Sequence, residues 1–402
     1  MIKEINYYKN DMIEFMKGMI PIRAISPDMG GQGEWDRSRY IKKFMESMGF
    51  DEIKEVNTMD DKGYTRPNLI SKYYGKNRDR TIWIAAHMDT VPEGDINLWK
   101  YDPYRATLID DRIYGRGTED NGQDLVAGLF TIKAFIDNNI RPDYSVGFMA
   151  LSDEETGSKY GMEYVMDNYS NFGKDDMFII PDAGNEKGDE IEIAEKGILW
   201  VGLNVMGRQA HGSRPDLGIN SNRILFELSM ELDRTLHGLF SDQDSIFIPP
   251  YSTFEPTKMF SSVQNINTIP GSSSVYFDMR ILPKYGIDEV LKTIEGKVEE
   301  YSRKYGVEIK IEIVQKNDPA PKTSENSPLV INLKNSIKEV LGVNPKTVGI
   351  GGGTVAAMAR KKGYPAVVWA TLEPVEHSPD EYCLIKNMIG DAEVFYKLIM
   401  KF

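Results

Sequence analysis

The sequence predicts a layered α/β domain with a largely parallel, mixed sheet that is interrupted by an inserted α+β domain. Strand-like apolar runs alternate with helix-like segments over residues 1–197, which is typical of a parallel sheet covered by helices. The pattern changes near residue 198 and returns near residue 318. We therefore expect residues 1–197 and 318–402 to form one domain around an insertion at 198–317.

The first part of the chain is expected to supply helices and strands in turn. Helical apolar spacing covers residues 1–20 and 35–48, and a further helix is expected just after Asp120. The predicted strands are Thr81–Ala86, Ser145–Leu151 and Asp176–Ile180. Polar residues follow each strand, namely His87 and Asp89, then Glu154 and Glu155, then Asp182.

The insertion and the last part of the chain have different patterns. In the insertion we expect strands at 198–206, 273–282 and 307–314 and helices at 221–236 and 288–305, which together make a small antiparallel α+β unit. The last part is expected to contain a helix at 328–341, the glycine turn GGGT at 351–354, a strand at 366–371 and a helix at 386–401.

Composition narrows the class of protein. The net charge is -13, from 61 acidic and 48 basic residues, which argues against a nucleic-acid or anionic-membrane partner. The single cysteine, Cys383, excludes an intrachain disulfide and a thiolate-rich metal site and fits a reducing cytoplasm. We expect no membrane span, because no run of 18 apolar residues occurs, and no signal peptide, because the charged N-terminus lacks an apolar core.

The polar residues at the strand ends predict a functional site. In open α/β sheets, functional groups gather beyond the carboxyl ends of the strands. The strand at 366–371 adds a fourth such residue, His377, a few positions later. Each residue alone has a structural explanation: Asp120 could cap a helix, Asp182 could form a turn, and His377 could lie on a surface loop. Together they favour a metal site, since two of the four histidines fall at strand exits.

The residue types suit one kind of chemistry. Imidazoles and carboxylates without thiolate are ligands for zinc, cobalt or manganese. Two histidines and three carboxylates can hold two divalent ions if one carboxylate is shared, and such a pair activates a shared water. A further carboxylate is needed to move the proton to the leaving group. Of the adjacent Glu154 and Glu155, we therefore expect one to bind metal and the other to act as the base.

Nine segments of the chain resemble the M20 metallopeptidases, the family that includes acetylornithine deacetylase, succinyl-diaminopimelate desuccinylase and related aminoacylases and dipeptidases. The segments occur in the family's order and span nearly the whole chain. They are HMDTVP at 87–92, GRGTEDNG at 115–122, SDEETGS at 152–158, PDAG at 181–184, GRQAHGSRP at 207–215, NTIPG at 267–271, DMR at 278–280, GGGT at 351–354 and EHS at 376–378.

The resemblance implies a role for each of these site residues. Asp120 would bridge two divalent ions, with zinc as the expected metal and cobalt or manganese as alternatives, and the peptide bond after it would be cis. Glu154 would be the general base and acid, and Asp89 would hydrogen-bond His87. The remaining ligands would be His87 and Asp182 for one ion and Glu155 and His377 for the other.

The resemblance also implies that the insertion is a ferredoxin-like lid that makes a homodimer. His211 would reach into the partner's active site and stabilise the oxyanion. The residues implied to bind the substrate, chiefly its carboxylate, are Asn267, Arg280, Gly352, Gly353 and Thr354. A phosphate loop is the rival interpretation of GGGT, but no GK[ST] follows it.

The expected function is hydrolysis of an amide bond in an N-acyl amino acid, by a deacylase or desuccinylase, or in a short peptide with a free carboxylate. Many deacylases of the family carry glutamate where this chain has Asp182, which favours the alternative of a dipeptidase or carboxypeptidase. The chain also departs from the family at Asn121-Gly-Gln123, where methionine and lysine are usual. A non-catalytic binding relative and a single-metal enzyme are further alternatives.

Overall fold

A computed structural model describes residues 3–402 of the chain. The predicted helix at 1–20 begins later than expected, with a 3-10 turn at Ile5–Tyr8 followed by an α-helix from Lys9 to Met19. Residues 1 and 2 of that prediction lie outside the described residues. The α-helices are α1 (Lys9–Met19), α2 (Trp35–Met48), α3 (Gln123–Asp137), α4 (Met162–Asn168), α5 (Ser221–Leu239), α6 (Ile287–Tyr305), α7 (Pro328–Leu341), α8 (Ala356–Lys361) and α9 (Ile385–Ile399).

The strands follow in the same chain order. Those of the first half are β1 (Glu52–Glu55), β2 (Thr58–Met59), β3 (Thr65–Arg66), β4 (Leu69–Tyr73), β5 (Asn77–His87), β6 (Thr107–Ile109), β7 (Arg112–Tyr114), β8 (Tyr144–Leu151), β9 (Met177–Asn185) and β10 (Glu190–Glu195). Those of the second half are β11 (Gly197–Met206), β12 (Ala210–His211), β13 (Thr253–Ser261), β14 (Thr268–Ile269), β15 (Ser272–Ile281), β16 (Glu308–Asn317), β17 (Lys346–Ile350), β18 (Ala366–Thr371) and β19 (Tyr382–Leu384).

The larger of two compact units contains the chain up to Ile193, together with residues 323–348 and 354–402. Its main sheet has eight strands in the order β1-β4-β8-β5-β9-β18-β10-β17. The four central strands, β8, β5, β9 and β18, run parallel to one another, and β4 and β10 pair with them antiparallel. The carboxyl ends of the central strands therefore meet at one edge of the sheet.

The central strands are buried on both faces, which explains their nearly continuous apolar sequences. Trp83 of β5 joins a buried cluster with residues of α4 and α8, including Met162 and Ala356. The next residue, Ile84, points to the other face, toward α3. A Cβ added to Gly128 of α3 would lie 2.9 Å from the Ile84 Cγ2 atom, so the small residue allows close helix–strand packing there.

Strand β9 extends beyond the end that the sequence predicts. The predicted strand at 176–180 ends before Asp182, whereas the observed strand continues to Asn185. A register shift between Val368 and Ala370 of β18 brings Ala370 opposite Gly184. A Cβ at Gly184 would lie 1.9 Å from the Ala370 carbonyl oxygen, so this pairing requires glycine.

The second unit contains residues 194–322 and 349–353. Its antiparallel sheet has the strand order β13-β15-β11-β16, and α5 and α6 pack over its apolar face. The edge strand β13 was not predicted from the sequence, because most of its residues are exposed and it lacks an apolar alternation. Within residues 3–402, no helix has the length and apolar character needed to cross a membrane.

Candidate metal centre

The residues that the sequence singles out in the larger unit lie beyond the carboxyl ends of its central strands. His87 is the last residue of β5, and Glu154 and Glu155 follow β8 in a short 3-10 turn. Asp182 lies within β9, and His377 follows β18. Parallel strands end at the same edge of a sheet, so these distant segments meet there.

Asp120 lies at the centre of the group. Its Oδ1 is 2.8 Å from His87 Nε2, and its Oδ2 is 3.1 Å from His377 Nε2. The peptide bond between Asp120 and Asn121 is cis, as the resemblance implied. One carboxylate therefore presents a different oxygen to each of two histidines.

Two donor groups share this carboxylate. In each group, one ligand atom per residue lies within 4.8 Å of the others: His87, Asp120 and Asp182 in the first, and Asp120, Glu155 and His377 in the second. His87 Nε2 is 3.2 Å from Asp182 Oδ1, and His377 Nε2 is 3.1 Å from Glu155 Oε2. Imidazole nitrogens and carboxylate oxygens without thiolate fit zinc, cobalt or manganese, so the donor set fits the metal that the sequence implies.

The orientation of His87 leaves its Nε2 atom directed at the carboxylates. Its Nδ1 lies 3.0 Å from the backbone carbonyl oxygen of Asp89, which can only accept a hydrogen bond. Nδ1 must therefore carry the proton, and the neutral ring offers its lone pair at Nε2. The Asp89 carboxylate is more distant, with Oδ1 3.4 Å from Nδ1.

The Asp89 carboxylate makes closer contacts with the turn that carries the two glutamates. It accepts hydrogen bonds from the backbone N–H groups of Glu154 and Glu155, each at 3.1 Å. The turn departs from strand geometry because Asp153 and Gly157 adopt positive φ values of 68° and 101°. Residues that would alternate on a strand can thus face one site. Asp89 therefore contacts both His87 and this turn.

The dense packing of charges shifts several pKa values. Burial opposes ionisation of Asp120, but hydrogen bonds from His377 and His87 outweigh it and hold the pKa of Asp120 well below its usual range. Hydrogen bonds to Asp120 and Glu155 raise the pKa of His377 to about 10. Burial and the nearby Asp182 carboxylate raise the pKa of Glu154 well above its usual value. Asp120 and His377 thus stabilise each other's charged form.

A cavity of about 380 Å³ opens beside Asp120 and Asp182. Six of the described residues that line it are Asp or Glu and none is Lys or Arg. The lining residues are Glu119, Asp120, Asn121, Asp182, Ala183, Gly184, Asn185, Glu186, Leu372, Glu373, Pro374 and Glu376. The cavity thus adjoins the metal-ligand candidates and is strongly acidic.

Sequence reasoning missed two buried residues behind the donor groups, Arg116 and Glu381. Glu381 accepts hydrogen bonds from the backbone N–H groups of Glu119 and Asp120, and Arg116 contacts Glu381 and the His377 carbonyl. Arg116 stands inside the GRGTEDNG segment and Glu381 lies four residues after His377, so both were near the motifs. Their pairing depends on a contact between distant parts of the chain, which the sequence pattern does not reveal.

His211 and Asn267 lie in the second unit, in and beside a small two-stranded sheet. His211 pairs with Thr268, and Gly212 donates its N–H to the Asn267 carbonyl oxygen at 2.7 Å. Ser213 N–H donates to His211 Nδ1 at 3.2 Å, so the neutral ring carries its proton on Nε2. The structure therefore places His211 at the exposed end of strand β12, with an N–H donor available.

Arg280 lies in the same unit, next to the glycine turn. Its Nε and Nη2 donate to the Asp278 carboxylate at 2.6 and 3.0 Å, and its Nη1 donates to the Gly351 carbonyl oxygen at 2.9 Å. Gly352 and Gly353 belong to this unit, whereas Thr354 belongs to the larger one. Binding a substrate carboxylate would require Arg280 to share or exchange some of these hydrogen bonds.

Comparisons with known proteins agree with the motifs. The family model of peptidase family M20/M25/M40 matches residues 83–401. An uncharacterized metallohydrolase from Methanocaldococcus jannaschii is 42% identical over 97% of this chain and 98% of that protein. A succinyl-diaminopimelate desuccinylase from Orientia tsutsugamushi is 27% identical over 98% of this chain and 97% of that protein. An M20 family metallo-carboxypeptidase from Sulfolobus solfataricus has a TM-score of 0.71 at 24% identity, covering 99% of both chains.

The family match assigns this chain to the metal-dependent hydrolases, and its candidate donor groups agree with that class. The chain belongs to peptidase family M20/M25/M40 and is a metallohydrolase that acts on amide bonds. The predicted family resemblance, enzyme class and α/β fold with an inserted α+β part are confirmed. The likeness to the carboxypeptidase supports the fold alone, because the two sequences are only 24% identical.

Proposed function

We propose that the protein is a dinuclear metal hydrolase that cleaves the amide bond of an N-acyl amino acid or of a short peptide with a free carboxylate. The observation that carries this proposal is the pair of donor groups that share Asp120. The first ion would be held by His87, Asp120 and Asp182, and the second by Asp120, Glu155 and His377. Zinc is the metal we propose, with cobalt or manganese as substitutes.

Divalent ions held there would polarise the amide carbonyl. They would also lower the pKa of water, so that it loses a proton near neutral pH and becomes nucleophilic enough to attack that carbonyl. Glu154 accepts the proton of the attacking water and delivers it to the leaving amine nitrogen. Asp89 supports this role, because its carboxylate accepts a hydrogen bond from the Glu154 backbone N–H group and so holds the turn that carries Glu154 in place. Burial raises the pKa of Glu154, which helps it to hold the proton taken from water until it delivers that proton to the amine.

We propose that Asn267, Arg280, Gly352, Gly353 and Thr354 bind the substrate, chiefly its carboxylate, as the family resemblance implies. Arg280 supports this assignment through its planar guanidinium and its contact with the Gly351 carbonyl oxygen. The competing Asp278 carboxylate holds the same guanidinium through two hydrogen bonds. A substrate carboxylate would therefore bind as a further partner of a guanidinium that is already oriented.

A dipeptidase or carboxypeptidase is the second candidate, and two observations favour it over a desuccinylase. The first is Asp182 at a ligand position where many deacylases of the family carry glutamate. The second is the acidic cavity beside Asp120 and Asp182. Its carboxylates that are not proposed metal ligands, at Glu186, Glu373 and Glu376, repel a succinyl carboxylate but attract the ammonium group of a peptide. We therefore rank short peptides with a free amino terminus above N-succinyl amino acids, although a desuccinylase is among the relatives.

We further propose that the protein is a cytoplasmic homodimer in which His211 acts on the partner's substrate. The exposed edge strand β13 carries Met259 and Phe260, and the neighbouring helix α5 carries the exposed Phe226 and Met230. Exposed apolar side chains on an edge strand and its neighbouring helix are suited to an interface. The His211 Nε2–H group is suited to donate to an oxyanion.

The test is hydrolysis by purified protein supplied with zinc, cobalt or manganese. The panel contains N-acetyl amino acids, N-succinyl amino acids, free dipeptides and N-acetylated dipeptides, with Glu154→Gln assayed alongside. We expect wild type to cleave free dipeptides best and Glu154→Gln to keep its metal while losing turnover by several orders of magnitude. Equal turnover by both proteins contradicts the role of Glu154. Preferential cleavage of N-succinyl substrates contradicts the ranking based on the acidic cavity.

A further inference from the structure

Glu381 lies behind Asp120 and holds the backbone on which that carboxylate is carried. Its Oε1 accepts hydrogen bonds from Glu119 N–H at 3.0 Å and from Asp120 N–H at 3.1 Å. Its own carbonyl oxygen accepts from Gly115 N–H at 2.9 Å, at the start of the same segment. One buried side chain thus fixes the backbone immediately before the shared ligand candidate.

Arg116 connects Glu381 to the other side of the second donor group. Its Nη1 donates to Glu381 Oε2 at 2.6 Å, and its Nη2 donates to the His377 carbonyl oxygen at 3.2 Å. The guanidinium also lies over the ring of Trp99, 5.2 Å from its centroid. Because a guanidinium is planar and rigid, its two nitrogens hold Glu381 and His377 at a set separation.

We propose that the Arg116–Glu381 pair is a positioning device that sets Asp120 and His377 at the separation required to share one metal ion. This proposal rests on the dinuclear site of the proposed function. Neither residue needs to touch the metal or the substrate. The pair acts by holding the backbone of one ligand and the carbonyl group of the other.

The burial of the pair argues for a role beyond general stability. Arg116 is 2% exposed and Glu381 is fully buried. Removing two charges from water is costly, and an apolar pair of similar volume often gives equal or greater stability. A buried ion pair is suited instead to orientation, because its hydrogen bonds fix angles that apolar packing leaves free. Both residues direct their bonds at the backbone of metal-ligand candidates.

The test uses two variants that disrupt the Arg116–Glu381 pair, one by changing the cation and one by changing the carboxylate. In Arg116→Lys, an ammonium group replaces the planar guanidinium and cannot contact both the Glu381 carboxylate and the His377 carbonyl oxygen. In Glu381→Gln, the amide oxygen can still accept from the two backbone N–H groups, but the amide NH2 then faces Arg116. Each variant is stripped with a chelator and titrated with zinc by calorimetry, and the unfolding temperature of the metal-free protein is measured.

Arg360→Lys is the matched control. Arg360 forms an equally buried pair with Glu192, with the two residues 2% and 3% exposed. Its Nη1 donates to Glu192 Oε1 at 2.9 Å and its Nε to the Ala366 carbonyl oxygen at 3.0 Å. Both partners are outside the two donor groups. A loss that comes only from disturbing a buried ion pair should therefore occur in this variant too.

We expect wild type to bind two zinc ions and the two test variants to bind at least one of them about 10- to 100-fold more weakly, the usual effect of losing a group that orients a ligand. Arg360→Lys should bind zinc as wild type does. Excess zinc should restore the activity of the test variants. Titration curves that match wild type overturn the positioning proposal, and so does equal weakening in Arg360→Lys.

The wild-type titration separates failure of this proposal from failure of the proposed function. Uptake of a single ion by wild type contradicts the dinuclear assignment but still tests the pair, because Asp120 belongs to both donor groups. In that case the test variants should bind the single ion more weakly. If wild type takes up no zinc, and none of the cobalt or manganese titrated in its place, both proposals are overturned.

Discussion

Asp120 combines two properties that no other single residue of the centre shows. Its carboxylate contacts both histidines, and its backbone N–H group is held by Glu381. The motif GRGTEDNG predicts an acidic residue before a helix, and that position is confirmed by α3 starting at Gln123. The ligand roles of Asp120, His87 and His377 remain predictions. Their mutual distances, however, are as short as a shared metal site requires.

A pair of buried carboxyl groups lies beneath the centre, at Asp124 and Asp391. Asp391 accepts hydrogen bonds from the Thr371 N–H group at 2.8 Å and from its hydroxyl at 2.7 Å. Burial raises the pKa of Asp391 to about 7, and burial next to Asp391 raises the pKa of Asp124 well above its usual value. In the folded protein both groups therefore favour their protonated forms.

The sign of the resulting pH dependence follows from these raised pKa values. The unfolded chain releases these protons near pH 4, whereas the folded chain holds the Asp391 proton to about pH 7 and holds the Asp124 proton to a pH well above its usual range. The stability they contribute is complete below pH 4 and is lost as the pH rises through 7. In Asp124→Asn, one titrating group is absent while the side chain keeps its size. We expect its free energy of unfolding to fall less between pH 5 and 7, by up to about 1.4 kcal/mol per pH unit.

The measurement is urea unfolding of the metal-free wild type and Asp124→Asn at several pH values between 5 and 8. The metal is removed because metal binding itself depends on pH and would add to the pH dependence of unfolding. Parallel curves for the two proteins would mean that Asp124 does not hold a proton in the folded state.

At the scale of elements, the turn after β8 depends on a buried arginine from β3. Arg66 donates to both oxygens of Glu34, at 3.1 and 2.7 Å, and to Asp153 Oδ1 at 3.0 Å. Asp153 immediately precedes Glu154, and its carboxylate also accepts a hydrogen bond from the Tyr160 backbone N–H group at 2.9 Å. Three segments that are remote in sequence thus support the conformation of the glutamate turn.

We expect Arg66→Met to lower the free energy of unfolding by about 3–5 kcal/mol, because it leaves Glu34 and Asp153 buried without their cation. Its catalytic rate should fall as well, since the turn that carries Glu154 loses a support. The control is Lys159→Met, which removes an exposed ion pair with Asp61 close to the same turn. Denaturant unfolding measures both variants. A shift in Arg66→Met no larger than that of the control would show that the buried network contributes little.

At the scale of the whole molecule, the proposed dimer makes each active site depend on two chains. We expect wild type to sediment as a dimer. We also expect Glu154→Gln and His211→Ala to be nearly inactive separately and to regain activity when mixed. A mixed dimer would contain one intact site, with Glu154 from the His211→Ala chain and His211 from the Glu154→Gln chain. Random exchange of subunits should restore about a quarter of wild-type activity.

The mixing experiment needs exchange of subunits, which brief dilution and reconcentration of the mixed sample can provide. Separately treated variants, mixed only in the assay, are the control. An active monomer, or a mixture that stays inactive after exchange has been verified with tagged chains, contradicts the action of His211 in the partner's site.

The sequence by itself determined the α/β fold class, its α+β insertion and the family, because these depend on apolar periodicity and on motifs whose residues are close in the chain. It also identified the histidines and carboxylates at the strand ends. It did not reveal strand β13, whose exposed residues lack a clear pattern, or the extension of β9 past Asp182, which depends on a register shift in β18.

Only the tertiary structure decided which atoms of these residues meet. It placed the two oxygens of Asp120 against different histidines and the Asp89 carboxylate against the glutamate turn. It also paired Arg116 with Glu381 across 265 positions of the chain. The physical reason is that a motif specifies residue types over a few positions, whereas contacts between distant segments are set by sheet order and helix packing.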